Sequence, residues 1–348
     1  MALPCHANGG HIARVKILFN CQLPFALAHG GWATQIEQTK AGLEANGVEV
    51  EFMRWWDGSQ RGSIVHFFGR APAEQIRFAQ QKGIKVVMAE LLSAQGARSR
   101  SQLRLQKIIS RSVERLAPRS FTSAFNWNAY RWADAVIANT PWEAQLMNYL
   151  FDAPRERIHI VPNGVEEIFL NSSPVARGKW LVCTTTITER KRVLELAAAA
   201  VAARTPLWII GRAYADTNTY AQKFFALAQK HQEWIRYEGS IQDRSQLAVI
   251  YRAARGFVLL SSMETRSLSA EEAAACACPL LLSDLPWARD TFKQSVSYCP
   301  ISNDVETPVK ILRQFYDQAP QLPIPPKPLT WAGVGRQLKT IYEGILKN

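Results

Sequence analysis

The stretch from Gly256 to Asp284, GFVLLSSMETRSLSAEEAAACACPLLLSD, constrains the fold of this chain more than any other. Phe257 to Leu260 is an unbroken apolar run, short enough for a strand buried on both faces. The polar loop Ser261 to Ser267 leads into a segment rich in alanine (Ala270, Ala273, Ala274, Ala275, Ala277), which favours a helix that lies close on a sheet. Ser269 reads as its N-cap, with Glu272 at the third helical position in capping-box spacing. Pro279 stops the helix and Leu280 to Leu282 forms the next buried strand. A crossover between parallel strands sets the loop and the helix N-terminus at the carboxyl edge of the sheet, where α/β proteins bind ligands.

Glu264 and Glu272 frame that loop. Eight positions apart, they are about 80° out of register if all eight are helical. They converge only if Glu264 lies in the loop and Glu272 on the first helical turn. Two readings fit. Exposed backbone N–H groups and the positive end of the helix dipole form a seat for phosphate between the carboxylates, or both glutamates simply complement the dipole.

The sequence ETRSLSAEEAAACACPLL resembles the E-x7-E motif of retaining GT-B glycosyltransferases of sequence family 4, typically EGFGLPxLEAMACGCPVV. Glu264, Leu268, Glu272, Ala273, Ala275, Cys276, Cys278 and Pro279 match, whereas Thr265, Arg266, Ser267 and Ala277 replace Gly, Phe, Gly and Gly. The loop is therefore stiffer and more polar than the family pattern. The resemblance runs from about Val15 to Ile345 and implies an α/β fold of two doubly wound Rossmann-like domains facing across a cleft. The expected division is a flexible leader at 1–14, an acceptor-side domain at 15–170 and a linker at 171–178. A nucleotide-sugar-binding domain at 179–325 follows, then a terminal helix at 326–348 that crosses back to the first domain.

In chain order, VKILFN (Val15 to Asn20) opens the first domain. A loop with Gly30-Gly31, a helix from about Thr34 to Ala45 and the strand VEVEFM (Val48 to Met53) follow. Gly30 and Gly31 let the backbone approach a donor diphosphate or an acceptor, although most glycine pairs only make turns. SIVHFFG and IKVVMAE are two further strands. The resemblance places a donor-contacting histidine at the end of the second of these, where Glu90 stands. His66 ends the strand before it, as a core residue or as part of the acceptor side.

ADAVIANTPWEAQLMNYL and RIHIVPNGVEEIF resemble the segment that closes the family's first domain. In the second domain the family holds the donor pyrophosphate with an arginine and then a lysine. Lys191 matches the lysine, and Thr185 or Thr186 stands where the arginine is missing. Arg190, Arg192 and Arg266 are the candidates to supply the charge, with Arg266 leading. LWIIGR, ending in Gly211 and Arg212, resembles the strand that lines the nucleotide. The resemblance implies that Glu264 holds donor-sugar hydroxyls and Glu272 the ribose, with Ser267 and Leu268 beside the donor. It implies no cofactor, no metal site and no protein nucleophile, and a nucleotide sugar and a glycan or lipid-linked acceptor as partners.

Charge adds one more expectation. The net charge of +12 calls for an anionic partner. Arg98 to Arg119 holds seven basic residues against Glu114 alone, with Leu105, Ile109, Val113 and Leu116 at helical spacing. This basic amphipathic helix either lies on an anionic membrane surface or is a domain helix with a solvated outer face. No nucleic-acid motif accompanies the charge, so nucleic acid is not an expected partner. No apolar run approaches the roughly 18 residues of a membrane span. Met1 to Arg14 has neither a basic n-region nor an apolar h-region, which points to a cytoplasmic protein. The six cysteines show no metal spacing and read as free thiols. The rival functions are a non-catalytic glycosyltransferase-like binding protein, which the missing arginine and altered loop favour, and an epimerase of the same fold, which lacks its histidine-rich motif here.

Overall fold

The computed structural model describes residues 15–21, 25, 30–171, 175–302 and 304–347, so the expected leader and part of the linker lie outside the described residues. The first domain comprises β1 (Lys16–Cys21), α1 (Gly31–Glu44), β2 (Glu49–Phe52), β3 (Ile64–Phe68), α2 (Ala73–Gln81) and β4 (Lys85–Ala89), then α3 (Arg100–Leu116), β5 (Ala135–Ala138), α4 (Pro141–Phe151) and β6 (Ile158–Ile160). Its strands are parallel, in the order β2-β1-β3-β4-β5-β6. The chain reverses direction across the sheet between β1 and β3, directly beside the loop that carries Gly30.

The second domain repeats the scheme with β7 (Leu181–Thr184), α5 (Val193–Ala202), β8 (Leu207–Ile210), α6 (Thr219–Lys230), β9 (Ile235–Tyr237) and α7 (Arg244–Ala253). It continues through β10 (Gly256–Leu259), α8 (Leu268–Ala275), β11 (Leu280–Ser283), α9 (Pro286–Phe292), β12 (Ser297–Cys299) and α10 (Glu306–Gln318). Its parallel order, β9-β8-β7-β10-β11-β12, has its switch between β7 and β10. Both faces are covered by helices, which is why β7, β10 and β11 are buried along their whole length and read as apolar runs. The α/β architecture of two facing Rossmann-like domains expected from the sequence is what the chain adopts.

The final helix, α11 (Trp331–Lys347), leaves the second domain and packs on α1 of the first. Small residues make this crossing close. A Cβ on Gly335 would lie 2.1 Å from the Gly42 carbonyl oxygen, and one on Gly42 would lie 2.2 Å from that of Trp331. Trp331, Val334, Leu338 and Tyr342 join the first domain's core, and the Tyr342 hydroxyl sits 2.6 Å from His66 Nδ1. His66 lies in the middle of β3 rather than at its end. It is 1% exposed and stacked 4.5 Å from Phe68. Burial pulls its imidazole down to about 3, so it is neutral and its place is the core.

The basic helix is α3, shorter than the stretch 98–119 and capped by a Ser99–Gln102 capping box. Its apolar face points outward. Leu105, Ile108, Ile109 and Leu116 are 58%, 63%, 53% and 86% exposed. Leu103 is buried in the first domain's core on the inward side, and further along polar groups hold that side: Arg111 pairs with Asp152, and Glu114 lies 2.6 Å from Arg131.

Candidate donor site

The switch points of the two sheets face each other across a cleft of about 730 Å³. From the first domain come Gly30 and Gly31 at the start of α1, where Gly30 has φ +120°, a left-handed conformation that favours glycine. A Cβ on Gly30 would stand 3.7 Å from Thr186 Oγ1, and one on Gly31 would stand 3.5 Å from Leu268. The two domains thus meet at these glycines. Leu268 packs into the first domain's core although it opens a helix of the second.

From the second domain the cleft receives the loops after β7, β8 and β10. Gly211 directly follows β8 at φ +152°, and any Cβ there would lie 1.8 Å from the Thr185 carbonyl oxygen. Only glycine lets these two loops touch. Glu189–Lys191 forms a short turn that brings Lys191 onto Glu264 on the second domain's side of the cleft. Lys191 Nζ pairs with Glu264 Oε1, and Arg190 reaches the same oxygen at 3.3 Å while donating to the Met263 carbonyl at 3.0 Å. Burial raises the Glu264 carboxyl, but Lys191 and Arg190 outweigh it and the net shift is downward. Glu264 is therefore an ionised, pre-oriented acceptor.

Ser267, not Ser269, caps α8, its Oγ accepting from the Ala270 N–H at 3.4 Å. The helix therefore starts two residues earlier than expected, at Leu268, whose side chain packs against the first domain. Glu272 accordingly occupies the fifth helical position, one turn inside, and does not form the expected capping box. It pairs with Arg244, which also holds Glu166 at 2.6 Å, and it accepts from the Tyr251 hydroxyl at 3.3 Å. Burial raises the Glu272 carboxyl, Arg244 offsets part of that, and the net shift is upward. The two carboxylates thus differ: Glu264 is held charged by two cations, and Glu272 sits deeper with a shared one.

Two expected site residues are engaged elsewhere. Arg266 lines the cleft, but its Nε lies 2.7 Å from the buried Glu271 carboxylate and its NH1 donates to the Asn139 carbonyl at 3.3 Å. It ties the loop to the first domain and its charge is already met. Glu90 is gripped by Arg70 at 2.8 and 3.1 Å and by the Tyr130 hydroxyl at 2.5 Å. Leu91 and Ser93 line the cleft beyond it, and Glu90 itself does not. Sequence reasoning missed Arg244 and passed over Arg212. Arg212 directly follows Gly211, lines the cleft, is exposed and has no carboxylate partner among the described residues. Five cationic side chains line the cleft; with Glu264, Glu272, Glu271 on Arg266 and Glu166 on Arg244 set against them, one positive charge is left over, which suits a diphosphate. Among the described residues no three His, Cys, Asp or Glu side chains cluster as a metal site.

Two doubly wound domains facing across such a cleft define the GT-B class. Residues 29–167 match the family described as Glycosyltransferase Family 4. No curated protein matches the sequence. Solved structures share the fold at low identity. A glycosyltransferase from Rickettsia africae is 14% identical (TM-score 0.65), over 97% of this chain and 100% of that one. Sucrose-phosphate synthase from Thermosynechococcus elongatus is 16% identical (TM-score 0.66), over 95% and 99%. Anabaena HepE, in complex with UDP and glucose, is 14% identical (TM-score 0.62), over 94% and 99%. The chain thus has the GT-B fold, and its first domain is similar to Glycosyltransferase Family 4.

Proposed function

We propose that this protein transfers a sugar from a nucleoside-diphosphate sugar to a glycan or lipid-linked acceptor, with retention of anomeric configuration and without a metal ion. The observation that carries this reading is the convergence of both switch points on one cleft holding Lys191–Glu264 and Arg244–Glu272. Lys191, Arg190 and Arg212 hold the diphosphate, and Lys191 stabilises the charge that gathers on it as the sugar leaves. Glu264 orients donor-sugar hydroxyls and Glu272 accepts from the ribose. Ser267 and Leu268 border the donor, and Gly30 and Gly31 keep the first domain's backbone close to the sugar. No protein nucleophile is assigned. The test is incubation with UDP-, GDP- and ADP-sugars and simple glycan acceptors, with the product anomer read by NMR. An inverted product removes retention, and binding without turnover returns the non-catalytic alternative.

The acceptor side carries a second part of the proposal: peripheral attachment to the anionic cytoplasmic face of a membrane through α3. Four large aliphatic side chains turned to solvent beside Arg104 and Arg115 support it. Each basic residue near an anionic surface contributes about 1 kcal/mol. No helix among the described residues is long and apolar enough to cross a membrane.

A further inference from the structure

Beside α3 lies a second cavity, a groove of about 810 Å³ that shares no lining residue with the donor cleft. Its floor is apolar: Leu103 of α3, Trp142 and Leu146 of α4, and Ile158 and Ile160, which point to one face of the edge strand β6. Arg100, Arg104 and Arg155 rim it, all exposed, and none has a carboxylate partner among the described residues. Arg155 makes only a 3.4 Å contact to Asn148 Oδ1. Lys107 lies 4.1 Å over the ring of Tyr149, which also lines the groove. The first turn of α3 opens here and adds its positive dipole end. The corresponding seat on α4 is taken, because Asp290 of α9 accepts from the Trp142 N–H at 2.7 Å.

This chemistry is amphiphilic. Three unpaired guanidiniums are ill matched to a neutral apolar ligand, and an apolar floor is ill matched to a free inorganic anion. Guanidinium forks suit phosphate oxygens, and Trp142, Tyr149 and Ile160 suit the first carbons of an acyl chain. We propose that the groove binds the phosphate headgroup and proximal chain of an anionic phospholipid, fixing the first domain's orientation on the membrane. Arg104 sits between the groove and the outward face of Leu105, Ile109 and Leu116, so both surfaces meet the bilayer together. The inference rests on the membrane reading of α3 but adds a discrete lipid site to it.

The test is calorimetric titration of the full chain at low salt with dihexanoyl-phosphatidylglycerol, kept below its micelle concentration. We expect saturable one-site binding, weakened about tenfold or more by Arg104→Gln with Arg155→Gln, and weaker binding of inorganic phosphate by at least as much. Ile160→Asp, which keeps the arginines and adds a negative charge to the floor, gives the same loss. Absence of saturable lipid binding, unchanged affinity in these variants, or equal affinity for inorganic phosphate overturns the proposal. Leu105→Gln with Ile109→Gln separates the two readings: it releases the protein from phosphatidylglycerol vesicles and leaves the short-chain lipid affinity intact. Wild-type protein that ignores vesicles yet binds the short-chain lipid retains the groove and loses the docking helix. Vesicle binding without short-chain lipid binding does the reverse.

Discussion

Arg244→Gln tests how the proposed donor site is electrostatically assembled. Arg244 is 35% exposed and bridges Glu166 and Glu272, and the Glu272 side chain is 8% exposed. Without the guanidinium, Glu272 keeps only the Tyr251 hydroxyl at 3.3 Å as a partner. A buried carboxylate in that position escapes by taking a proton. From its ordinary value of 4.5, protonation at pH 7 costs at most about 3.4 kcal/mol, at about 1.4 kcal/mol per pH unit. Two effects reduce that ceiling. Glu272 is already raised by burial in the wild type, and water reaches the Arg244 site. The expected pH-dependent loss is therefore about 1–2 kcal/mol, with a further ~0.5–1 kcal/mol, independent of pH, from the contact of Arg244 over Phe169. The sign follows from linkage. An acid raised in the folded state binds more protons there than when unfolded, so stability declines as pH rises above 4.5. The variant's deficit should grow from pH 5 to pH 7 in urea unfolding. A deficit of constant size across that range refutes the reasoning.

Three further outcomes are expected. Glu264→Gln and Glu272→Gln each lower turnover, on the order of ten- to a thousandfold, through loss of charge-assisted hydrogen bonds; wild-type rates in both folded variants return the dipole-only reading. Gly335→Ala forces α11 off α1, because its Cβ falls 2.1 Å from the Gly42 carbonyl oxygen. The loss should be about 1–3 kcal/mol in urea unfolding, and a wild-type midpoint contradicts the close crossing. Wild-type protein co-sediments with anionic vesicles at low salt and is released at high salt, whereas equal recovery in the supernatant under all conditions makes the face of α3 ordinary solvated surface.

Much of the fold was legible because apolar runs, Gly-Pro punctuation and alternating helices all point to parallel sheets. The crossover around β10 and α8 shows this directly. Helix entry was not legible. Two serines, two residues apart, both suit an N-cap; the helix begins after Ser267, with Leu268 packed on the other domain. The charge network was hidden for the same reason. Arg244 reaches Glu272 from 28 residues away, and Glu90 meets Arg70 and Tyr130 from 20 and 40. Periodicity identified α3 as amphipathic but carried no information on which face the domain covers. Its inward side is fixed by Asp152 and Arg131, which no helical spacing reveals. Arg266 looks available for phosphate in the sequence because nothing there marks Glu271 as its partner, and only the fold brings the two together.

The central claim is that the cleft binds a nucleoside-diphosphate sugar through Lys191. The direct measurement is calorimetric titration of UDP-, GDP- and ADP-sugars into wild-type protein and Lys191→Ala, with thermal unfolding alongside. At least one donor should bind, add roughly 2.7 kcal/mol of stability at 100 times its dissociation constant, and lose affinity in Lys191→Ala. No binding by any of the three, or equal affinity in the two proteins, contradicts the account.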